Sequence, residues 1–413
     1  MRHRHPPVLH SEWPVDEPRR VAWLELFYDL VYVAAVIQIG DLLSEDVSWD
    51  GFWHFAVLFF VLWWSWTGTT AYFNRFLVDD TPHRLLVVVQ MFAVANIAIS
   101  APLAFAATSR DVPVLGVAWS LVLVRLVLVA MLARSYRHCP SARPALRPAI
   151  VWTSVGAAVF AVAPFVEPGP RAWVWLAGIG VSMWGGLARG AVQMEEDVPG
   201  DHEHLAERYA LLTMIVLGES FVKTVTGLAE EGASLGDEML GGLGLAVIVG
   251  LWWTYFDRIA DGGIPPGFWG LQRWMYLHLP LMLAITSLGV GTKKIALSEL
   301  GEPTDPAYAL LFGGSAAVVL LSMAGLLRIQ GDRRAAVGRA AAAAVLLVVA
   351  VALGDVLGVA VLALVVAAVV ALPNALDPAG PDAEGGAGPE LPDDAPGSAP
   401  DPDDPGDGHP SPA

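Results

Sequence analysis

Two charged side chains interrupt an apolar run in the middle of this 413-residue chain. Within Tyr209 to Leu228, in the stretch VLGESFVKTV, Glu219 stands near the centre. Lys223 follows one turn later, and Thr226 completes an i, i+4, i+7 stripe along one helical face. About 20 apolar residues are what a bilayer requires of a helix. Each charge at its centre costs roughly 2.5–3.5 kcal/mol on insertion scales. A central carboxylate is therefore a functional group by default: an acid that carries a proton, or a ligand for a cation or polar solute. The order Glu before Lys suits an intrahelical pair. The plainer reading has Lys223 snorkelling outward along its stem, with Glu219 protonated or hydrogen-bonded inside a bundle. Of the two, Glu219 is the stronger candidate. Ser220 follows it, and Gly218 before it leaves room for a neighbouring helix.

Three further sets of residues have the types that chemistry needs. Glu25 and Asp29 are four apart on one face at the start of another apolar run. They read either as an ion or proton entry site or as helix-start carboxylates favoured by the N-terminal dipole, with Arg19 and Arg20 nearby. Arg125 sits mid-run in SLVLVRLVLVA and needs a carboxylate or several carbonyls; Asp29 or Glu219 could serve. In DHEHLAER (201–208), His202 and His204 are two apart and do not share a helical face, which argues against a metal site. Glu207 and Arg208 read as markers of a helix start.

The elements that must position these groups are membrane helices. The chain is 55% hydrophobic and 16% charged, against about 25% charged in an ordinary soluble domain. The expected fold is all-α and polytopic, with twelve spans at roughly 21–43, 51–73, 85–107, 112–133, 148–166, 171–192, 207–228, 238–257, 268–292, 307–328, 336–353 and 355–372. The last pair reads as a hairpin around Gly354 and Asp355, or as one long bent helix. Eighteen of the 24 Lys and Arg fall on the N-terminal side of this layout, four on the other side and two inside spans. That asymmetry places both termini in the cytoplasm. The domain reading is an N-terminal segment 1–20, a six-span unit 21–192, a linker 193–206, a second six-span unit 207–372 and a tail 373–413.

The tail holds ten of the 41 acidic residues and no Lys or Arg, so it supplies ten of the seventeen net negative charges. Its Pro, Gly and Asp content cannot bury a core, and it reads as disordered. Nothing resembles a nucleic-acid surface, a Gly-rich phosphate loop, a GxSxG elbow or a nucleophilic cysteine. The single cysteine, Cys139, allows no intramolecular disulfide. No cofactor or metal and no enzymatic activity is expected, and the oligomeric state is open.

The two units look related. LELFYDLVYVAAV (24–36) corresponds to AERYALLTMIVLG (206–218), and LWW with YFNR (62–75) to LWW with YFDR (251–258). An even number of spans per copy gives a parallel repeat, a transporter layout with its site between the copies. The Trp pairs with Tyr72 and Tyr255 fit an interfacial aromatic belt.

Two stretches resemble the bacterial low temperature requirement A (LtrA) family. WLELFYDLVYV carries Glu25, Leu26, Phe27, Asp29, Leu30 and Val31 of one family signature. HLAER…IVLGES carries His204, Glu207, Arg208, Gly218, Glu219 and Ser220 of the other. Lys223 and the acidic tail lie outside these signatures. The resemblance implies a multi-pass membrane protein linked to growth at low temperature, with no defined biochemical activity. Layout and buried carboxylates together point to a transporter of a small solute or ion. A cold or membrane-state sensor and a membrane-embedded enzyme are the alternatives.

Overall fold

A computed structural model describes residues 5–12, 21–105, 116–187, 192, 195, 198–231 and 234–376. Twelve long helices make up nearly all of it. In chain order they are α1 (Trp23–Glu45), α2 (Trp49–Arg75), α3 (Thr81–Ser100), α4 (Gly116–His138), α5 (Arg143–Phe160) and α6 (Pro168–Leu187). There follow α7 (His202–Glu231), α8 (Leu235–Tyr255), α9 (Phe268–Ala296), α10 (Pro306–Gln330), α11 (Arg333–Ala352) and α12 (Val359–Leu376). Each expected span falls on one of them. Ten are long and apolar enough to cross a membrane; α2 and α6 match them in length but carry more Trp, Gly and Thr. The protein is a polytopic all-α membrane protein. Large apolar side chains such as Phe92, Val348 and Leu364 lie on its outside, as lipid-facing helices require.

Local sequence sets where these helices start and stop. Ser48, Asp80 and Asp332 accept hydrogen bonds from the backbone N–H three residues on, capping α2, α3 and α11. Asp201 caps α7 in the same way, receiving the His204 N–H at 3.0 Å. Gly331, at φ 102°, makes the left-handed turn that separates α10 from α11. α11 and α12 are two helices, not one. Their junction is pinned by the Thr304 N–H to the Leu357 carbonyl and the Val359 N–H to the Glu302 carbonyl.

The N-terminal segment holds a short strand: β1 (His5–Leu9) pairs antiparallel with β2 (Phe76–Asp79), directly after α2. The Cys139 thiol donates to the Pro7 carbonyl at 3.3 Å, and Ser141 to Glu12 at 2.7 Å. Burial pushes the Cys139 thiol up to about 11, so it stays protonated. α12 runs to Leu376, four residues beyond the expected end of the last span at 372. Asn374 receives Thr254 of α8 at 2.9 Å and Arg339 of α11 at 3.1 Å, and donates to the Gly250 carbonyl at 3.0 Å. The rest of the acidic tail lies outside the described residues.

The aromatic belt also needs revision. Trp63, Tyr72 and Tyr255 are buried, and Trp64 stacks on Tyr276 of α9 with ring centroids 6.3 Å apart. Trp252 and Trp253 are the exposed pair.

Candidate functional site

The first turns of α1 and α7 bring the two charged motifs together. Glu25 and Asp29, one turn apart on α1, face His204 and Arg208, one turn apart on α7. Arg208 donates through Nη2 to Asp29 Oδ1, and its Nη1 lies 3.7 Å from Glu25 Oε2. His204 Nε2 is 2.9 Å from the same Glu25 oxygen. α2 closes the third side. The Trp66 indole N–H donates to Asp29 Oδ1 at 2.7 Å, and the Asn74 amide oxygen is 3.3 Å from His204 Nδ1. The Arg208 guanidinium also lies over the Trp66 and Phe73 rings, 5.6 and 5.2 Å from their centroids.

Asp29, His204 and Arg208 are all essentially inaccessible to solvent. Two carboxylates face one guanidinium and one imidazole, so the cluster is neutral with His204 protonated and carries one net negative charge without that proton. Both His204 nitrogens face oxygens, an arrangement that an imidazolium satisfies in full. Asp29 Oδ2 is buried and accepts no hydrogen bond among the described residues, which leaves an oxygen free to hold a proton. Glu207, between the two basic residues, is exposed.

α1 and α7 run parallel, and a second polar contact joins them farther along. Lys223 donates to Asp41 and to the Ile37 carbonyl, the latter at 3.2 Å. Its side chain turns inward against α1 rather than snorkelling, and Gly40 leaves space for it. Glu219 is half-buried and forms no hydrogen bond or ion pair with Lys223 among the described residues. The expected intrahelical pair is thus replaced by one between helices. Ser220 is a packing residue: it donates to the Val216 and Ile285 carbonyls at 3.2 and 3.0 Å, facing Gly289 of α9. Gly218 faces open space, so the close helix approach belongs to Gly289 instead.

Arg125 meets neither Asp29 nor Glu219, because Asp29 is already held by Arg208. It lies over the Phe160 ring, 5.8 Å from the centroid. The sequence reading missed Trp66, Asn74 and Asp41. Asn74 had a visible signal, since it lies in YFNR, the repeat counterpart of YFDR, at the position of Asp257. Asp41 was marked by the GD step that ends the apolar run of α1.

The residues that meet at the α1–α7 contact are those of the two signatures. A family model described as bacterial low temperature requirement A protein matches residues 20–372. The chain belongs to the LtrA family. It is also 30% identical over 326 residues to an uncharacterized protein of Rhizobium meliloti (strain 1021), covering 71% of this chain and 78% of that one. No solved structure matches it. In this LtrA protein the match spans all twelve helices except the last turn of α12, and it takes in both halves of the charged cluster.

Outside the helical spans, Glu195 supports the start of α7. It pairs with Arg75 at the end of α2 and lies 3.1 Å from His202. Burial works to raise its carboxyl, but the His202 hydrogen bond and the Arg75 guanidinium outweigh this and hold it below its usual 4.5. A lowered carboxyl stabilises the fold above its ordinary range, and this is lost as pH falls through the folded value. Glu195→Gln should therefore lower the unfolding midpoint at pH 7 and narrow its gap from wild type as pH falls below 4.5. An unchanged gap across that range would show that the ionised carboxylate contributes nothing.

Proposed function

We infer that this LtrA-family protein moves a small solute or ion across the bacterial inner membrane, with proton binding at the α1–α7 cluster coupled to that movement. It is not an enzyme in this reading. The observation that carries the reading is the sharing of one buried site by two carboxylates, a guanidinium and an imidazole, contributed from both six-helix sets. Buried ion pairs are often no more stabilising than apolar residues of the same size, so stability alone is a weak reason to keep four ionisable groups there. Charged groups at membrane depth mark ion and proton routes by default. The excess of Lys and Arg on the N-terminal side supports a cytoplasmic end for the cluster, with Lys223–Asp41 toward the outside.

The test uses purified protein in liposomes with an entrapped pH-sensitive dye, screened with small carboxylates, amines and sugars. One solute class is expected to drive proton movement, and Asp29→Asn to slow it at least tenfold. Glu219→Gln, run in parallel, reports whether the half-buried carboxylate shares the task. Proton movement at the wild-type rate in Asp29→Asn would remove the cluster from the coupling role.

A further inference from the structure

A cavity of about 200 Å³ lies between α2, α4, α5, α6 and α9, distinct from the α1–α7 cluster. Arg125 of α4 lines it at a position near the centre of that helix. The residue is 3% exposed, yet its Nε and Nη2 have no hydrogen-bond partner among the described residues. An isolated buried cation is expensive unless it is paired and hydrogen-bonded. On α1, Glu25 is engaged with His204, Asp29 with Arg208 and Asp41 with Lys223. Gly68 of α2 gives the guanidinium its space, since a Cβ there would stand 3.4 Å from Arg125 Nη1 and 3.3 Å from Leu128.

The rest of the wall is largely apolar and aromatic. Trp64, stacked on Tyr276, forms one side, and Trp152 of α5 lines the cavity as well. The Trp64 indole N–H is buried and also lacks a partner among the described residues. A guanidinium in the wall and aromatic side chains around it are complementary to a planar anion with an apolar body. The volume is below the roughly 300–1,000 Å³ of sites for drug-sized molecules, so the body is small.

We propose that this cavity binds a monocarboxylate with a small apolar or aromatic body, its carboxylate on Arg125 and its body against Trp64, Trp152 and Tyr276. The binding claim holds whether or not the ligand is transported; that the ligand is the transported solute rests on the function proposed above. The cation supplies the charge that the ligand brings to neutral, and the aromatic walls replace the water that the apolar body loses.

The experiment is equilibrium binding to the purified full-length protein in detergent, read by quenching of tryptophan fluorescence. Benzoate is the probe, benzyl alcohol its uncharged analogue and decanoate a fatty-acid competitor. Benzoate should quench saturably and benzyl alcohol should not. Arg125→Gln should weaken benzoate at least tenfold and Arg125→Lys less. Gly68→Val, which fills the space beside the guanidinium without touching the charge, should also abolish binding. It keeps the test decisive if Arg125→Gln does not fold. Displacement by decanoate assigns the site to membrane-derived carboxylates, and its failure assigns the site to free solutes; both support a carboxylate site. Absence of saturable quenching in the wild type, or benzoate affinity unchanged in both Arg125→Gln and Gly68→Val, overturns the proposal. Asp29→Asn should still bind benzoate, so a failed coupling role and a failed anion site are read separately.

Discussion

Replacing Arg208 with Met is expected to lower the unfolding free energy by about 3–5 kcal/mol, because it strands Asp29 in a buried site without a counter-charge. The measurement is reversible unfolding in mixed micelles, compared with wild type. Arg208 reaches Asp29 by a direct hydrogen bond and Glu25 across 3.7 Å, so its loss leaves two carboxylates facing one imidazole. Adding Asp29→Asn should recover at least half of the loss, since it removes the stranded charge while keeping the Trp66 donor an oxygen to bond. A double variant no more stable than Arg208→Met would trace the loss to packing against Trp66 and Phe73 instead. The same pair separates stability from function: the double variant should fold and yet show no proton coupling.

The second large effect is steric. Gly291 of α9 crosses α10 so closely that a Cβ there would stand 2.8 Å from the Phe312 N and Cα. The obstacle is backbone, which cannot swing aside as a side chain can. It lies in the π-helical turn Leu310–Gly314, where α10 is locally widened. Gly291→Ala is expected to cost about 1–3 kcal/mol by forcing the two helices apart. Gly218→Ala makes the control, because a Cβ at Gly218 meets nothing within 4 Å. Alanine is the better helix former by roughly 0.5–1 kcal/mol, so that variant should be neutral or slightly more stable. Equal losses at the two positions, read as unfolding midpoints in one detergent, would refute the close-approach argument.

The contrast between these two glycines shows what the sequence made legible. Spans are set by one-dimensional hydropathy, so all twelve helices could be placed from runs of Val, Leu, Ala and Phe. Which glycine faces a neighbour depends on how helices rotate about their axes, and Gly218 and Gly291 look alike in sequence. The same limit applies to charges. Glu25, Asp29, His204 and Arg208 could each be singled out by type and by family signature. Their meeting across nearly 180 residues of chain (Glu25 to His204, Asp29 to Arg208) follows from tertiary packing alone. Arg125 was recognised as needing a partner, but the partner suggested by proximity of charge, Asp29, is claimed by Arg208. β1, Asn374 and the inward turn of Lys223 were hidden for a related reason. Each is decided by a contact distant in sequence, not by local composition.

The parallel contact of α1 and α7 has a mechanical consequence. It is bolted at two levels, by Arg208–Asp29 and by Lys223–Asp41, twelve residues and so roughly 18 Å apart along α1. Neither helix can slide past the other without breaking both bolts, so relative movement must be a swing rather than a shear. The two levels are unequal. The first is sealed from solvent, and neutralising Asp29 would loosen it, whereas Asp41 at the second is half exposed and remains in contact with water. Loosening the first while the second holds turns Lys223–Asp41 into a fulcrum, and the ends that part are those carrying Glu25 and His204.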